Sequence, residues 1–251
     1  MAKQDLYLIH GWGMNRSVWQ TIAPQLEAVF NLHFLDLPGY GESCDRYPNE
    51  YSLANISKQI AGDIEKPGIV IGWSLGGLVA QYIAINFPNK IKQLICLAST
   101  PKFQACETWH GIKPEVLTLF QQQLSNDYQK TIERFLAIQT MGSDSARQDV
   151  KQLKDLLAQY PSPSEAVLAA GLTILAETDL RTEIKRIQIP TLRLYGKLDS
   201  LVPSKAIDEI AQLQPEANQF IFNKASHAPF ISHPTEFSQA LLAEWQKTEF
   251  R

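Results

Sequence analysis

One serine stands among small residues in Gly72-Trp73-Ser74-Leu75-Gly76-Gly77, directly after the apolar run Ile69-Val70-Ile71. The spacing Gly-x-Ser-x-Gly between a strand and a helix is that of a nucleophile elbow, a tight turn that lifts the hydroxyl clear of the backbone. Small flanking residues are a steric requirement of such a turn. A helix starting at Leu75 adds the positive end of its dipole where negative charge develops. The plainer alternative is an ordinary serine in a tight turn, and the strand before it and helix after it favour the elbow.

A serine hydroxyl needs a base, and the base needs an orienting acid. After an elbow the chain order is serine, carboxylate, histidine, both partners lying on loops that follow later strands. Of five histidines, His10 and His33 precede Ser74, and His110 lies in a helical region. His227 follows the last apolar strand in Asn223-Lys224-Ala225-Ser226-His227, whereas His233, before Pro234, suits a helix start. His227 is therefore the expected base. Asp199 closes Leu192-Arg193-Leu194-Tyr195-Gly196-Lys197-Leu198-Asp199 and is the expected acid, while Asp179 and Asp208 flank helices as capping or solvated residues. Acyl transfer also needs donors for the oxyanion. These are the backbone N–H of Leu75 and, from the loop His10-Gly11-Trp12-Gly13, that of Trp12, whose indole would wall the pocket. His10 is expected to brace that loop.

The elements that must carry these residues alternate over the first hundred positions. Leu6–Ile9, Leu32–Leu35, Ile69–Ile71 and Ile91–Ala98 read as strands, with helices over Val18–Val29, Ser52–Ile64 and Leu75–Asn86. Short continuous apolar runs of this kind indicate strands covered on both faces, as in a parallel sheet with crossover helices. Between Lys102 and Thr178 only helical patterns follow one another: Pro114–Leu124, Tyr128–Met141, Ser145–Gln159 and Ser164–Ala176. Strands resume at Thr191–Tyr195 and Gln219–Phe222, with helices over Ser204–Gln212 and Pro234–Lys247. The expected class is α/β: a mostly parallel sheet flanked by helices, with residues 1–101 and 179–251 forming the core and 102–178 an inserted helical lid.

Bulk properties narrow the function classes. The chain has 251 residues, 45% hydrophobic and 20% charged, with a formal net charge of −3, which argues for neither a nucleic-acid nor an anionic membrane partner. No apolar run approaches the ~20 residues of a membrane span. The start, Met1-Ala2-Lys3-Gln4-Asp5, runs straight into a strand pattern, so no secretory leader is expected. Cys44, Cys96 and Cys106 match no metal-ligand spacing and are expected to be reduced thiols of a cytoplasmic protein.

On the helix after Asn126, Phe135 and Gln139 share one face and Lys130 and Arg134 another, offset by about 100°. The first face suits a cleft and the second suits solvent. Lys102–Thr178 holds seven basic and nine acidic residues, so the block as a whole is not basic, and solvated cations on amphipathic helices are the ordinary case.

The segments His10–Gly13, Asp36-Leu37-Pro38-Gly39-Tyr40-Gly41-Glu42-Ser43, Gly72–Gly77 and the loops of Asp199 and His227 together resemble the α/β-hydrolases. Gly111–Pro114, Phe120–Leu124, Glu133–Gly142 and His227–Pro234 are similar, more narrowly, to the pimeloyl-[acyl-carrier protein] methyl ester esterases of biotin synthesis. This resemblance runs over essentially the whole chain, helical block included. The chain differs in starting almost at the oxyanion-loop strand, where that family carries a further N-terminal strand segment. The resemblance implies a serine carboxylesterase, a cytoplasmic monomer, that frees the pimeloyl carboxylate and methanol without metal or organic cofactor. It implies that Phe135 and Gln139 line the substrate channel beside Trp12, Ser74, Leu75 and His227. It further implies that Lys130, Arg134, Arg147 and Lys151 contact an acidic acyl-carrier protein. Rival readings on one triad are a short-chain carboxylesterase, a thioesterase, a carbon–carbon bond hydrolase or, from another class, a non-catalytic binding protein.

Overall fold

In a computed structural model of the chain, which describes residues 3–140 and 145–249, six strands form one sheet. They are β1 (Gln4–Ile9), β2 (Phe30–Leu35), β3 (Gly68–Trp73), β4 (Ile91–Leu97), β5 (Thr191–Gly196) and β6 (Asn218–Phe222). Their order is β2-β1-β3-β4-β5-β6, and every neighbouring pair runs parallel. Parallel strands need crossovers that cover both faces, and β3 is accordingly buried at all six positions.

The helices of the sheet layer are α1 (Ala23–Leu26), α2 (Leu53–Asp63), α3 (Leu75–Asn86), α8 (Ser204–Leu213), α9 (Pro229–Ser232) and α10 (Pro234–Glu249). Ser52 caps α2 by accepting the Asn55 N–H at 3.3 Å. The α3 helix is apolar nearly all round because it is covered all round, by β3, β4 and α2. The single helix expected over Val18–Val29 is instead a 3₁₀ segment, Arg16–Thr21, followed by the short α1. Pro24 explains the break: it lacks an N–H and its ring excludes a helical turn before it, so it sits in the first turn of α1.

Between β4 and β5 lie α4 (Pro114–Asn126), α5 (Tyr128–Gln139), α6 (Ala146–Leu157) and α7 (Glu165–Glu177). Asp127 and Ser164 cap α5 and α7 through the N–H groups of Lys130 and Val167. Met141, the expected last residue of the α5 helix, and Gly142 lie outside the described residues. This helical layer is tied to the loop after β1: Ser17 Oγ donates to Leu156 O at 2.8 Å and Asn15 Nδ2 to Leu157 O at 3.2 Å. At its base the Leu180 N–H donates to Pro101 O at 2.9 Å, and Lys102 pairs with Asp179 at 3.2 Å. Among the described residues no helix is long and apolar enough to cross a membrane.

The strand order reverses at β1, whose neighbours are β2 on one side and β3 on the other. Ligands of open α/β sheets bind beyond the carboxyl ends of the strands at such a switch point. Ile9 lies in register with Gly72, so the loop after β1 and the turn after β3 leave the sheet side by side.

Candidate active site

Ser74 occupies that turn, between β3 and α3, with φ 55° and ψ −117°. Among the described residues only Ser74 and Ala98 have positive φ without being glycine. A left-handed backbone costs a side-chain-bearing residue roughly 1–2 kcal/mol, so the turn needs neighbours that hold it. A Cβ on Gly72 would lie 2.3 Å from Gly76 O, and one on Gly76 would lie 2.5 Å from the carbonyl oxygens of Ile9 and His10. Both glycines are fixed by close backbone approach.

The end of β4 supplies further restraint. The Ser74 N–H donates to Leu97 O at 3.0 Å, and Ser99 Oγ donates to Ser74 O at 2.8 Å. Ala98, the second left-handed residue, lies between these two anchors. Nothing in Leu97-Ala98-Ser99-Thr100 marks this clamp in the sequence, because it exists only across neighbouring strands.

The structure brings Asp199 and His227 together from the loops after β5 and β6. His227 Nδ1 donates to Asp199 Oδ2 at 2.7 Å, and both side chains are fully buried. Asp199 Oδ1 accepts the N–H groups of Leu201 at 2.8 Å and Val202 at 3.1 Å. The carboxylate is thereby held in one orientation and fixes the imidazole tautomer, which leaves Nε2 as the free lone pair. That nitrogen is buried with no partner among the described residues. The His227 backbone is held beside the elbow, since Trp73 Nε1 donates to His227 O at 2.9 Å.

The loop after β1 lies against Ser74: a Cβ on Gly11 would be 3.1 Å from Ser74 Cβ. His10 Nε2 accepts the Leu37 N–H at 3.0 Å, so Nδ1 carries the hydrogen and donates to Gly11 O at 2.8 Å. Gly11 O and the Trp12 N–H belong to one rigid peptide plane, so this bond sets where the Trp12 N–H points. Burial pushes the His10 pKa down, against the pull of Asp36, which favours the neutral form this geometry requires. Among the described residues no backbone hydrogen bond takes up the N–H of Trp12 or of Leu75. The Trp12 indole donates to Leu168 O of α7 at 2.8 Å and meets Phe135 edge to face at 4.7 Å.

Phe135 and Gln139 of α5 are buried, and both amide atoms of Gln139 lack a partner among the described residues. An unsatisfied buried amide is uncommon and calls for a physical reason. Lys130 and Arg134 lie on the outer side of α5, Arg147 and Lys151 on that of α6, all four exposed. None of these cations touches the cleft. Arg134 donates to Gln123 Oε1 at 2.9 Å, and Lys154 of α6 reaches Glu133 of α5 at 2.6 Å, so the two helices lie side by side. The remaining histidines serve elsewhere: His33 pairs with Asp5, His110 with Glu209, and His233 with Ser232.

A family profile for the alpha/beta hydrolase fold matches residues 6–234. The chain is 49% identical over 238 residues to a pimeloyl-[acyl-carrier protein] methyl ester esterase of Klebsiella pneumoniae, covering 95% of this chain and 92% of that one. It is 50% identical over 233 residues to the protein of the same name from Aeromonas salmonicida, covering 93% and 92%. Among solved structures, an esterase from Exiguobacterium antarcticum superposes with a TM-score of 0.87 at 18% identity, covering 97% and 92% of the two chains. At that identity the likeness is one of fold.

Proposed function

The chain belongs to the α/β-hydrolases and, within them, to the pimeloyl-[acyl-carrier protein] methyl ester esterases, and from that premise we propose the residue roles of its reaction. It is a carboxylic ester hydrolase of biotin synthesis, and its substrate is carried by an acyl-carrier protein. Ser74 is the nucleophile, His227 the general base and then acid, and Asp199 the group that orients His227 and stabilises its charge. The observation that carries this reading is the Asp199–His227 bond of 2.7 Å, on a loop whose His227 O accepts from Trp73 next to Ser74, with the far imidazole nitrogen buried and without a partner among the described residues.

In the first half-reaction Ser74 Oγ bonds to the ester carbonyl carbon while its proton passes to His227 Nε2. The oxyanion is received by the N–H groups of Trp12 and Leu75, each such donor contributing about 10²–10³ in rate. The carbon–methoxy bond then breaks, and His227 returns the proton to the departing oxygen as methanol. Water then attacks the acyl carbonyl as His227 Nε2 takes its proton; the Ser74 Oγ–acyl bond breaks, Nε2 returns the proton to Oγ, and the carboxylic acid is freed and ionises.

Residues 102–178 act as a lid over residues 1–101 and 179–251. Phe135 and Gln139 line the acyl path, and the buried Gln139 amide, without a partner among the described residues, supports a polar substrate group beside it. Lys130, Arg134, Arg147 and Lys151 dock the carrier protein, a role supported by their exposure on two adjacent helices. The reading extends to a monomer working in the cytoplasm with no membrane or nucleic-acid partner.

A serine-reactive phosphonate tests the central assignment. The adduct is expected on Ser74 with parallel loss of methanol release, and Ser74→Ala should lower turnover by about a millionfold. An unlabelled Ser74, or a Ser74→Ala variant that still turns over, would overturn it.

A further inference from the structure

His227 comes from the loop after β6, and in the order β3-β4-β5-β6 that strand stands three places from β3, which leads into Ser74. Neighbouring strands lie about 4.8 Å apart, so the loop must cross roughly 14 Å of sheet edge to bring its imidazole to the serine. Its ties to β5 and the loop that follows it are several. The Leu198 N–H donates to Ala225 O at 3.0 Å, His227 Nδ1 donates to Asp199 Oδ2, and a Cβ on Gly196 would lie 1.9 Å from Ser226 O. Toward β3 the imidazole gives no such anchor, since its Nε2 has no partner among the described residues. The bond that reaches β3 is made by the main chain: His227 O accepts from Trp73 Nε1 at 2.9 Å.

We propose that Trp73 is a positioning residue of the reaction, its indole N–H setting how far the base loop reaches toward Ser74. The proposal rests on the catalytic roles assigned above and adds the group that fixes the spacing of nucleophile and base. Trp73 is the last residue of β3 and is joined to Ser74 by a peptide bond, so it moves with the nucleophile. Its side chain is fully buried. The indole meets Phe230 edge to face at 4.9 Å, and Phe230 stacks on Trp19 at 4.6 Å. Phe230 lies three residues after His227, so the same ring also holds the chain that leaves the base. The ring's Cε3 faces the loop after β1, where a Cβ on Gly11 would lie 3.4 Å from it.

An indole suits this place because it packs as a large apolar body and still carries one donor on a rigid ring. With the ring wedged among Gly11, Phe230 and Trp19, the direction of that N–H is fixed. His227 is thereby tied from two sides: Asp199 holds Nδ1 from the loop after β5, and Trp73 holds the carbonyl from β3. Without the second tie the imidazole keeps its tautomer, because Asp199 still accepts from it. Its Nε2 is then free to draw back toward β5. Proton transfer needs donor and acceptor within about 2.6–3.2 Å, so a retreat of this kind slows the chemical steps. Binding is a separate matter, since Trp73 is not among the residues lining the pocket at Ser74.

The test removes the N–H and keeps an aromatic ring. Trp73→Phe does this with a smaller ring, and benzothienylalanine at position 73 does it with the indole's own shape, sulfur replacing the N–H. The second keeps the test open where the space left by phenylalanine weakens the fold. On a carrier-free methyl ester both are expected to lower kcat by about ten- to a hundredfold with KM within about twofold of the wild type. Fluorotryptophan at the same position retains the donor and should restore kcat. The effect should also disappear with its target: in a His227→Ala background, Trp73→Phe should change the residual rate by less than about twofold, as residues acting as a unit do. A merely structural Trp73 would lower that residual rate by its full factor, and such additivity would overturn the proposal. A benzothienyl variant with wild-type kcat, or one raising KM alone, would overturn it equally. In each of these cases an inactive Ser74→Ala leaves the catalytic roles standing, whereas wild-type turnover by Ser74→Ala or His227→Ala would remove those roles themselves.

Discussion

Ser74 and Ala98 share a strained backbone, and their strain is coupled through Ser99 and Leu97. The elbow carbonyl is aimed by Ser99 Oγ, and Ser99 is itself aimed by the left-handed turn at Ala98. Removing that hydroxyl leaves Asp199 and His227 in place but lets Ser74 drift, and if Ser74 is the nucleophile small misplacements cost up to about 10²-fold. Ser99→Ala should therefore lower kcat by about ten- to a hundredfold with KM near its original value, as steady-state kinetics on a carrier-free methyl ester would show. A selective rise in KM would instead place Ser99 in substrate binding. At this scale residue type and order alone put forward the candidate triad, Ser74, then Asp199, then His227, and the last two are hydrogen-bonded. Ser99 was unreadable, since its partner lies on another strand and its local sequence resembles any strand end.

The helices between β4 and β5 differ by face. On α5, Phe135 and Gln139 turn inward and Lys130 and Arg134 outward, as 3.6 residues per turn requires. The outer face continues onto α6 with Arg147 and Lys151. If these cations dock an acidic carrier protein, reversing the charge of Arg134 and Arg147 together should raise KM for the carrier-linked ester by about tenfold or more at low salt. Turnover of the same acyl methyl ester free of carrier should change little. The salt dependence of the carrier-linked reaction should flatten in the variant, because screened attraction between exposed charges is what the substitution removes. Equal loss on both substrates would show that the variant damages the cleft. Periodicity made the faces of α5 legible in advance. It failed at Val18–Val29, where the apolar pattern continues through Pro24 but the backbone cannot.

Across the whole molecule, the buried His10 links the site to stability. Burial lowers its pKa in the folded protein, so below the ordinary histidine value of about 6.5 the unfolded chain takes up a proton that the native protein refuses. Stability then falls as pH falls through that value, by at most about 1.4 kcal/mol per pH unit, until native His10 is itself protonated. His10→Gln lacks this titration, so the stability advantage of the wild type over it should shrink between pH 7.5 and 5.5. Urea unfolding at the two pH values measures this, and a gap independent of pH would refute the linkage.

Local rules are enough for elements and chemistry in this chain. Apolar runs made its strands, glycines permitted its tight turn at Ser74, and the order of serine, carboxylate and histidine put forward its candidate triad. Distances between loops lie beyond such rules, because β1 and β3 become neighbours only when the sheet reverses its order. That reversal sets Gly11 against Ser74, seats the end of β4 beneath the nucleophile, and closes leucines of α4 and α7 over it. The pocket beside Ser74 has no motif, since a pocket is a property of the surfaces that fail to meet and not of any residue that lines it.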